Sequence, residues 1–292
     1  HQGFSSISLY LRPLKTKFLR TVSRIFLFGL MTILLSVPGH AQMHEIGIFG
    51  GGTNFIGDVG NYAFHLPRNF VVGGSYRFQF DGHYALRGNF SYGRVENDDA
   101  TSSWAWRKER NLSFRSRIIE ASLVGEFNFF PYVTGSDEFW QTPYIFGGVG
   151  VFSFDPETEY EGEWIKLQPL GTEGQGTSVN PEGKYSRSGL AFIFGMGYRL
   201  SLARNVSMTL ETGFRTTSTD YLDDVSTVYA DRSVLAAENG ELSAILSDRS
   251  FDQSEKTGQP RGNAQNNDWY IYTGITIFVT LTPQRERCTR FW

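Results

Sequence analysis

Seven charged residues stand out because each falls in the middle of an alternating apolar stretch: Arg77, Arg87, Glu120, Glu126, Arg199, Glu211 and Arg215. Four are positive and three negative, so side chains confined to one interior would nearly neutralise one another. The chemistry that this pattern suggests is ion pairing in a polar plug, not turnover. Catalytic constellations are poor. The histidines after position 41 are His44, His65 and His83, and none has a second histidine at metal-ligand spacing. A lipid-modifying barrel would need an activated Ser or His at its rim. Only His65 falls in a long connection, and no distinctive Ser–acid pair lies near it. Gly50-Gly51-Gly52 is no phosphate loop, since no Lys-Ser/Thr follows; these glycines suit a bent strand or closely packed neighbours. Asp220, Asp223 and Asp224 could ligate Ca²⁺, but an Asx-rich loop start is the preferred reading. Glu157, Glu159, Glu161 and Glu163 alternate along what reads as a solvated loop face within 155–184. The single cysteine, Cys288, excludes a disulfide framework and a cysteine-based zinc site. We therefore expect no enzyme, no cofactor, no metal and no small-molecule substrate.

The elements that must carry the seven charges have a period of two. In 70–80, Phe70, Val72, Tyr76, Phe78 and Phe80 oppose Ser75, Arg77 and Gln79. In 84–93, Tyr84, Leu86, Phe90 and Tyr92 oppose Arg87, Asn89 and Ser91. The pattern recurs in 117–130, 189–200, 206–217 and 268–281, and less cleanly in the Gly-rich 44–52 and in 143–154. Eight strands of this length match the ~9–11 residues that a tilted membrane-spanning strand needs. Long connections (53–69, 94–113, 155–184, 218–267) alternate with short ones (81–83, 131–142, 203–205). An even-stranded barrel with both termini on one side places every long loop on the other side. The expected fold is all-β: an eight-stranded antiparallel transmembrane β-barrel of the outer membrane, with short periplasmic turns and long extracellular loops. A lipocalin-like soluble barrel also alternates, but it would turn apolar residues inward. Facing lipid, each arginine would cost ~2–4 kcal/mol at the midplane. The lumen of eight strands is just wide enough to be filled by side chains. Trp104, Trp106, Trp140, Trp164 and Trp269 fall at strand ends or in loops, as aromatics of a membrane interface do.

Arg12, Lys15, Lys17, Arg20 and Arg24 are basic, no acid occurs among the first 41 residues, and an apolar run, 25–37, follows. Pro38-Gly39-His40-Ala41 then supplies small residues for cleavage after Ala41. Thirteen apolar residues rise only ~20 Å as a helix, short of the ~30 Å hydrocarbon core. Removing those five basic residues from 27 leaves 22 against 30 acidic, a net charge of −8. With no basic surplus, a nucleic-acid partner is excluded. The expected plan is a cleaved signal peptide over 1–41, with an extension upstream of Lys15 left open. An outer-membrane barrel over 42–282 and a periplasmic C-terminal tail over 283–292 complete it.

Several segments resemble the PorG-like outer-membrane barrels of the Bacteroidetes type IX secretion system. They are EIGIFGGGTNFIGDVG (45–60), RNLSFRSRIIEASLVGEFNFFPY (110–132), PYIFGGVGVFSFDP (143–156), LQPLGTEGQG (167–176), TDYLDDVS (219–226) and DWYIYTGI (268–275). LQPLGTEGQG and TDYLDDVS carry the most weight, because barrel periodicity does not require them. The resemblance implies a non-enzymatic outer-membrane subunit, without cofactor, associated with periplasmic ring proteins of the PorK and PorN type. The alternative is a passive structural or adhesive surface barrel acting through its extracellular loops. Two regions are candidates for the periplasmic contact. One is the tail, with Arg285, Arg287, Arg290 and Trp292; the other is the 131–142 link, with Tyr132, Phe139 and Trp140. Arg and Trp are enriched among binding hot spots.

Overall fold

The computed structural model describes residues 43–61, 69–252 and 254–281. The signal segment 1–41 and the tail 283–292, with Arg285, Arg287, Arg290 and Trp292, lie outside the described residues. Eight long strands, β1 (Met43–Ile56), β2 (Asn69–Gln79), β3 (Tyr84–Asp98), β4 (Ser113–Asn128), β5 (Gln141–Tyr160), β7 (Ser188–Ala203), β8 (Val206–Thr217) and β9 (Trp269–Thr280), pair antiparallel in chain order. β9 returns to pair with β1 from Glu45↔Thr280 to Ile56↔Trp269, which closes the sheet into a ring. A short strand, β6 (Glu163–Lys166), folds back on the end of β5. Among the described residues no helix is long and apolar enough to cross a membrane; the long elements are strands.

The closing seam depends on glycine. Gly51 lies opposite Gly274, and a Cβ on Gly51 would come within 2.3 Å of the Thr273 carbonyl oxygen and 2.7 Å of the Gly274 Cα. The central member of the glycine triplet is therefore a packing device, and it sits on a strand. The turns at one end are tight. After β2, Asp81 Oδ1 accepts from the backbone N–H of His83 at 2.7 Å and of Tyr84 at 2.8 Å, a self-contained Asx turn. β7 and β8 are joined through Ala203↔Val206.

At the other end the long connections carry structure of their own. β3 and β4 run on together to Asp98↔Ser113. The glutamates 157–163 lie not on a loop but on a β-hairpin. Its turn is Glu161-Gly162, with φ of 53° and 83°, the left-handed pair that a two-residue hairpin favours. The segment 218–267 carries short helices, including Glu241–Ser247. Val59, Leu112, Leu167, Leu222, Val225 and Leu246 are buried there and join the apolar cluster of Phe55, Phe114 and Phe154 at the barrel mouth. The long loops thus form a cap whose apolar core is continuous with that of the barrel.

Candidate functional site

Alternation decides which side chains meet in the lumen. The outward positions are apolar and exposed: Ile48 on β1, Leu123 on β4, Val149 on β5, Phe192 on β7 and Leu210 on β8. The inward positions hold all seven charged residues read from the pattern, and an eighth, Glu45, that was not. Arg77 Nη1 donates to Glu45 Oε2 at 2.9 Å, and its Nε lies 3.0 Å from Glu126 Oε2. Arg87 bridges Glu126 and Glu211, each at 2.8 Å. Arg199 also pairs with Glu126, and Arg215 pairs with Glu120 at 3.1 Å. Glu126 is therefore a hub for three guanidinium groups.

Aromatic residues complete the plug. Tyr144 donates to Glu211 at 2.5 Å and Tyr270 to Glu120 at 2.8 Å. Arg77 lies 3.6 Å from the centre of the Phe278 ring and Arg215 4.1 Å from that of Tyr272, positions that favour cation–π attraction. Charged groups buried this deeply are tolerated only when paired and hydrogen-bonded. A cavity of about 20 Å³, bordered by Arg87, Glu120, Glu211, Arg215 and Tyr272, remains among them. It is room for about one water molecule.

The short-turn mouth is stoppered by the β4–β5 link. Tyr132 is fully buried. Its carbonyl oxygen accepts from Gln79 Nε2 at 2.8 Å, and its ring lies 5.2 Å from the Arg199 guanidinium. Thr134 donates to Glu45 at 2.8 Å. Tyr132 therefore cannot serve as the surface contact expected of it, because the link turns into the barrel to cover Arg199 and Glu45. Trp140 is exposed and Phe139 half-buried, and Phe129 and Phe130 beside them are exposed.

The opposite mouth is closed by the cap, where the two most specific sequence segments meet. Glu173, in LQPLGTEGQG, accepts from the backbone N–H groups of Ser226 (2.9 Å) and Thr227 (3.0 Å), which end or follow TDYLDDVS. Arg261 Nη1 donates to the same carboxylate at 3.0 Å. Thr172 and Tyr185 donate to Asp224. Arg110 joins Asp99 at 2.7 Å and donates to the carbonyl of Asp58 at 2.7 Å. Val59 N–H donates to Asp223 at 2.9 Å and Leu222 N–H to Asp268 at 2.9 Å. Asp223 and Asp224 thus face different partners, and among the described residues no group of three or more Asp, Glu, His or Cys side chains is placed to hold a metal ion.

Burial raises the acids of this cap. Asp220 is pushed up to about 8, with Asp58 and Glu173 adding to the effect of burial. Asp224 is pushed up to about 6 by burial, against the pull of Arg261. Asp223 and Asp268 are lifted well above the carboxylate range by burial, reinforced by neighbouring aspartates. Asp58 is raised by burial too. The cap residues missed from sequence, Asp58, Asp99, Arg110, Glu173 and Arg261, sit in aperiodic segments. The resembling segments 45–60, 110–132 and 167–176 contain Asp58, Arg110 and Glu173 without marking any of them as a partner.

A closed ring of eight antiparallel strands, apolar outside and charged inside, is the architecture of an outer-membrane β-barrel: every ladder is paired, and no sheet edge faces hydrocarbon. The chain belongs to the DUF6089 family, described as a domain of unknown function, whose model matches residues 23–243. No curated protein matches it. Among solved structures it is similar to Ail, the attachment invasion locus protein of Yersinia pestis, at 10% identity and a TM-score of 0.37, over 82% of this chain and 99% of that one. The N-terminal β-barrel domain of Pseudomonas aeruginosa OprF gives 10%, 0.34, 82% and 99% in the same order. A major outer membrane protein from Thermus thermophilus gives 13%, 0.33, 83% and 100%.

Proposed function

We propose that this chain is a non-enzymatic, non-conducting barrel subunit of the outer membrane that serves a type IX protein secretion machinery. In this reading the long-loop cap faces outward, and the short-turn end meets periplasmic ring proteins of the PorK and PorN type. The observation that carries it is the double closure of the lumen. Ion pairs fill the middle, Tyr132 and the β4–β5 link block one mouth, and the cap blocks the other. Among the described residues there is no open passage and no catalytic constellation, and a barrel of that kind acts through its surfaces. The resemblance of six segments to PorG-like barrels supplies the machinery. Phe130 and Trp140, exposed at the short-turn end, supply an apolar surface on the side that a periplasmic partner would approach.

Affinity capture of the protein from detergent-solubilised membranes, with deletion of its gene in parallel, tests the proposal. Ring proteins should co-purify, and deletion should stop cargo secretion. Intact secretion in the deletion strain, with no ring protein captured, refutes it. A second reading, an adhesive surface barrel, draws on the apolar residues Phe251 and Val179 exposed in the cap region. It predicts normal secretion with reduced attachment.

A further inference from the structure

The outer wall of the barrel changes character abruptly at its long-loop end. On β4 the outward residues Ile119, Leu123 and Phe127 span eight steps, about 26 Å along the strand at ~3.3 Å per residue. With the usual tilt this approaches the ~25 Å apolar band of outer-membrane barrels. The next outward residues beyond Ile119 are Arg117 and Arg115. Arg94 on β3 lies directly opposite Arg117 in the ladder, and Arg94 Nε is buried without a hydrogen-bond partner. Like charges placed opposite each other in a sheet are destabilising. Lys166 on β6 and Arg187, which immediately precedes β7, reach the same patch.

Asp155 stands among these cations. Lys166 Nζ lies 2.7 Å from it, Arg187 Nη1 2.9 Å and Arg117 Nη2 3.2 Å. Glu157 takes Arg115 at 3.0 Å and Arg117 at 2.9 Å, while Arg115 stacks 3.3 Å from the centre of the Trp164 ring. With Glu96 opposite Arg115 and Glu159 opposite Trp164, five cations face four acids. Arg117, Lys166 and Arg187 keep 44–50% of their side chains exposed. Beside them an open groove of about 480 Å³ is lined by Tyr92, Ile119, Arg117, Arg187 and their shared partner Asp155, with Ser153 and Ser188 paired across it. Apolar side chains, hydroxyl donors and half-exposed guanidinium groups thus line one groove.

We propose that this groove binds the phosphorylated headgroup of an outer-leaflet lipid. Its phosphate would sit between Arg117 and Arg187, and an acyl chain would lie over Ile119 and Tyr92. Arginine recognises phosphate through paired N–H donors. The net positive charge of the patch suits a phosphate, and the position at the top of the apolar band matches a headgroup. The inference rests on the reading that the barrel sits in a membrane with its long loops outside.

The test uses full-length mature protein in phosphatidylcholine nanodiscs, to which bisphosphorylated lipid A or its dephosphorylated form is added. Retained glycolipid is read by native mass spectrometry. The wild type should retain the phosphorylated form at least tenfold better. The double variant Arg117→Gln/Arg187→Gln should lose that preference while keeping the heat-modifiable gel mobility of a folded barrel. Should that variant not fold, Ser153→Ala/Ser188→Ala and a sodium chloride titration on the wild type replace it; the preference should fall in both. Equal retention of the two lipids by the wild type, or an unchanged preference in a folded variant, overturns the inference. Displacement of the lipid by millimolar inorganic phosphate also overturns it, because the site would then read free phosphate. A protein that does not enter the nanodisc refutes the membrane reading itself. Entry without phosphate preference refutes the lipid site alone.

Discussion

The lumen and the cap both bury charge, but on different terms. In the lumen, Arg77, Arg87, Arg199 and Arg215 face Glu45, Glu120, Glu126 and Glu211, an even match. In the cap, Asp58, Asp99, Glu173, Asp220, Asp223, Asp224 and Asp268 outnumber Arg107, Arg110 and Arg261. The difference follows from the backbone. Barrel strands pair every N–H with a neighbouring strand, so lumen carboxylates are left to bind arginines. Cap segments outside the β5–β6 hairpin and the β3–β4 extension have no ladder, and their buried N–H groups must find another acceptor. Val59, Gly60, Leu112, Leu222, Val225, Ser226, Thr227 and Asn263 all donate to cap carboxylates. The acids of the cap are substitute strand partners, and an acid surplus accompanies that role.

The largest effect expected from breaking this contrast comes at Glu126. Glu126→Leu leaves three arginines short of a partner, and removing one member of a buried pair costs about 3–5 kcal/mol. The heat-resistant band on unboiled gels should vanish. Glu211→Leu strands only Arg87 and the Tyr144 hydroxyl, so its loss should sit near the lower end of that range, about 3 kcal/mol. The band should persist with a lower melting temperature. A wild-type melt in the Glu211 variant would mean that the lumen is hydrated enough to do without the pair.

Acidity should separate the two regions next. A carboxyl raised in the fold binds more protons folded than unfolded, so stability falls as pH climbs from the unfolded value to the folded one. For Asp224 and Asp220 the upper limits are about 6 and about 8. Cleavage of the 218–252 region by a protease active across the range, measured against an unfolded control, should therefore quicken from pH 5 to pH 8 while the barrel band stays unchanged. A cap equally protected at both values would sink the linkage. The smallest effect is expected from Asp220→Asn, which removes one charge and no backbone hydrogen bond given to it. It should stabilise the cap at pH 8 by about 1 kcal/mol, allowing for screening, and should flatten the upper part of the pH response.

The barrel was legible in the sequence because its rule is local: alternate residues alternate in environment. That rule located eight strands and placed Arg77, Arg87 and Arg215 on one face before any partner was known. It missed Glu45 because glycines at 47 and 50–52 thin the alternation of β1; only the register Glu45↔Arg77 reveals the pair. It reads 155–184 as a connection and its four glutamates as a solvated loop face, although Glu161-Gly162 makes the turn of a hairpin. The cap follows no period. Glu173 meets Arg261 across 88 residues, and Tyr132 turns inward for reasons set by Arg199 and Glu45. Nothing in the spacing of those residues announces either contact.

Each of the eight barrel strands sends at least one side chain into the lumen plug: Glu45, Arg77, Arg87, Glu126, Tyr144, Arg199, Glu211 and Tyr270 in chain order. A strand that joined one residue out of step would swing its contribution from lumen to wall. A misplaced arginine would then face hydrocarbon at ~2–4 kcal/mol, and each glutamate left behind would lose a cation partner. The plug therefore acts as a checksum on assembly. Only a ring in which all eight strands have arrived, each in its own register, adds up to zero.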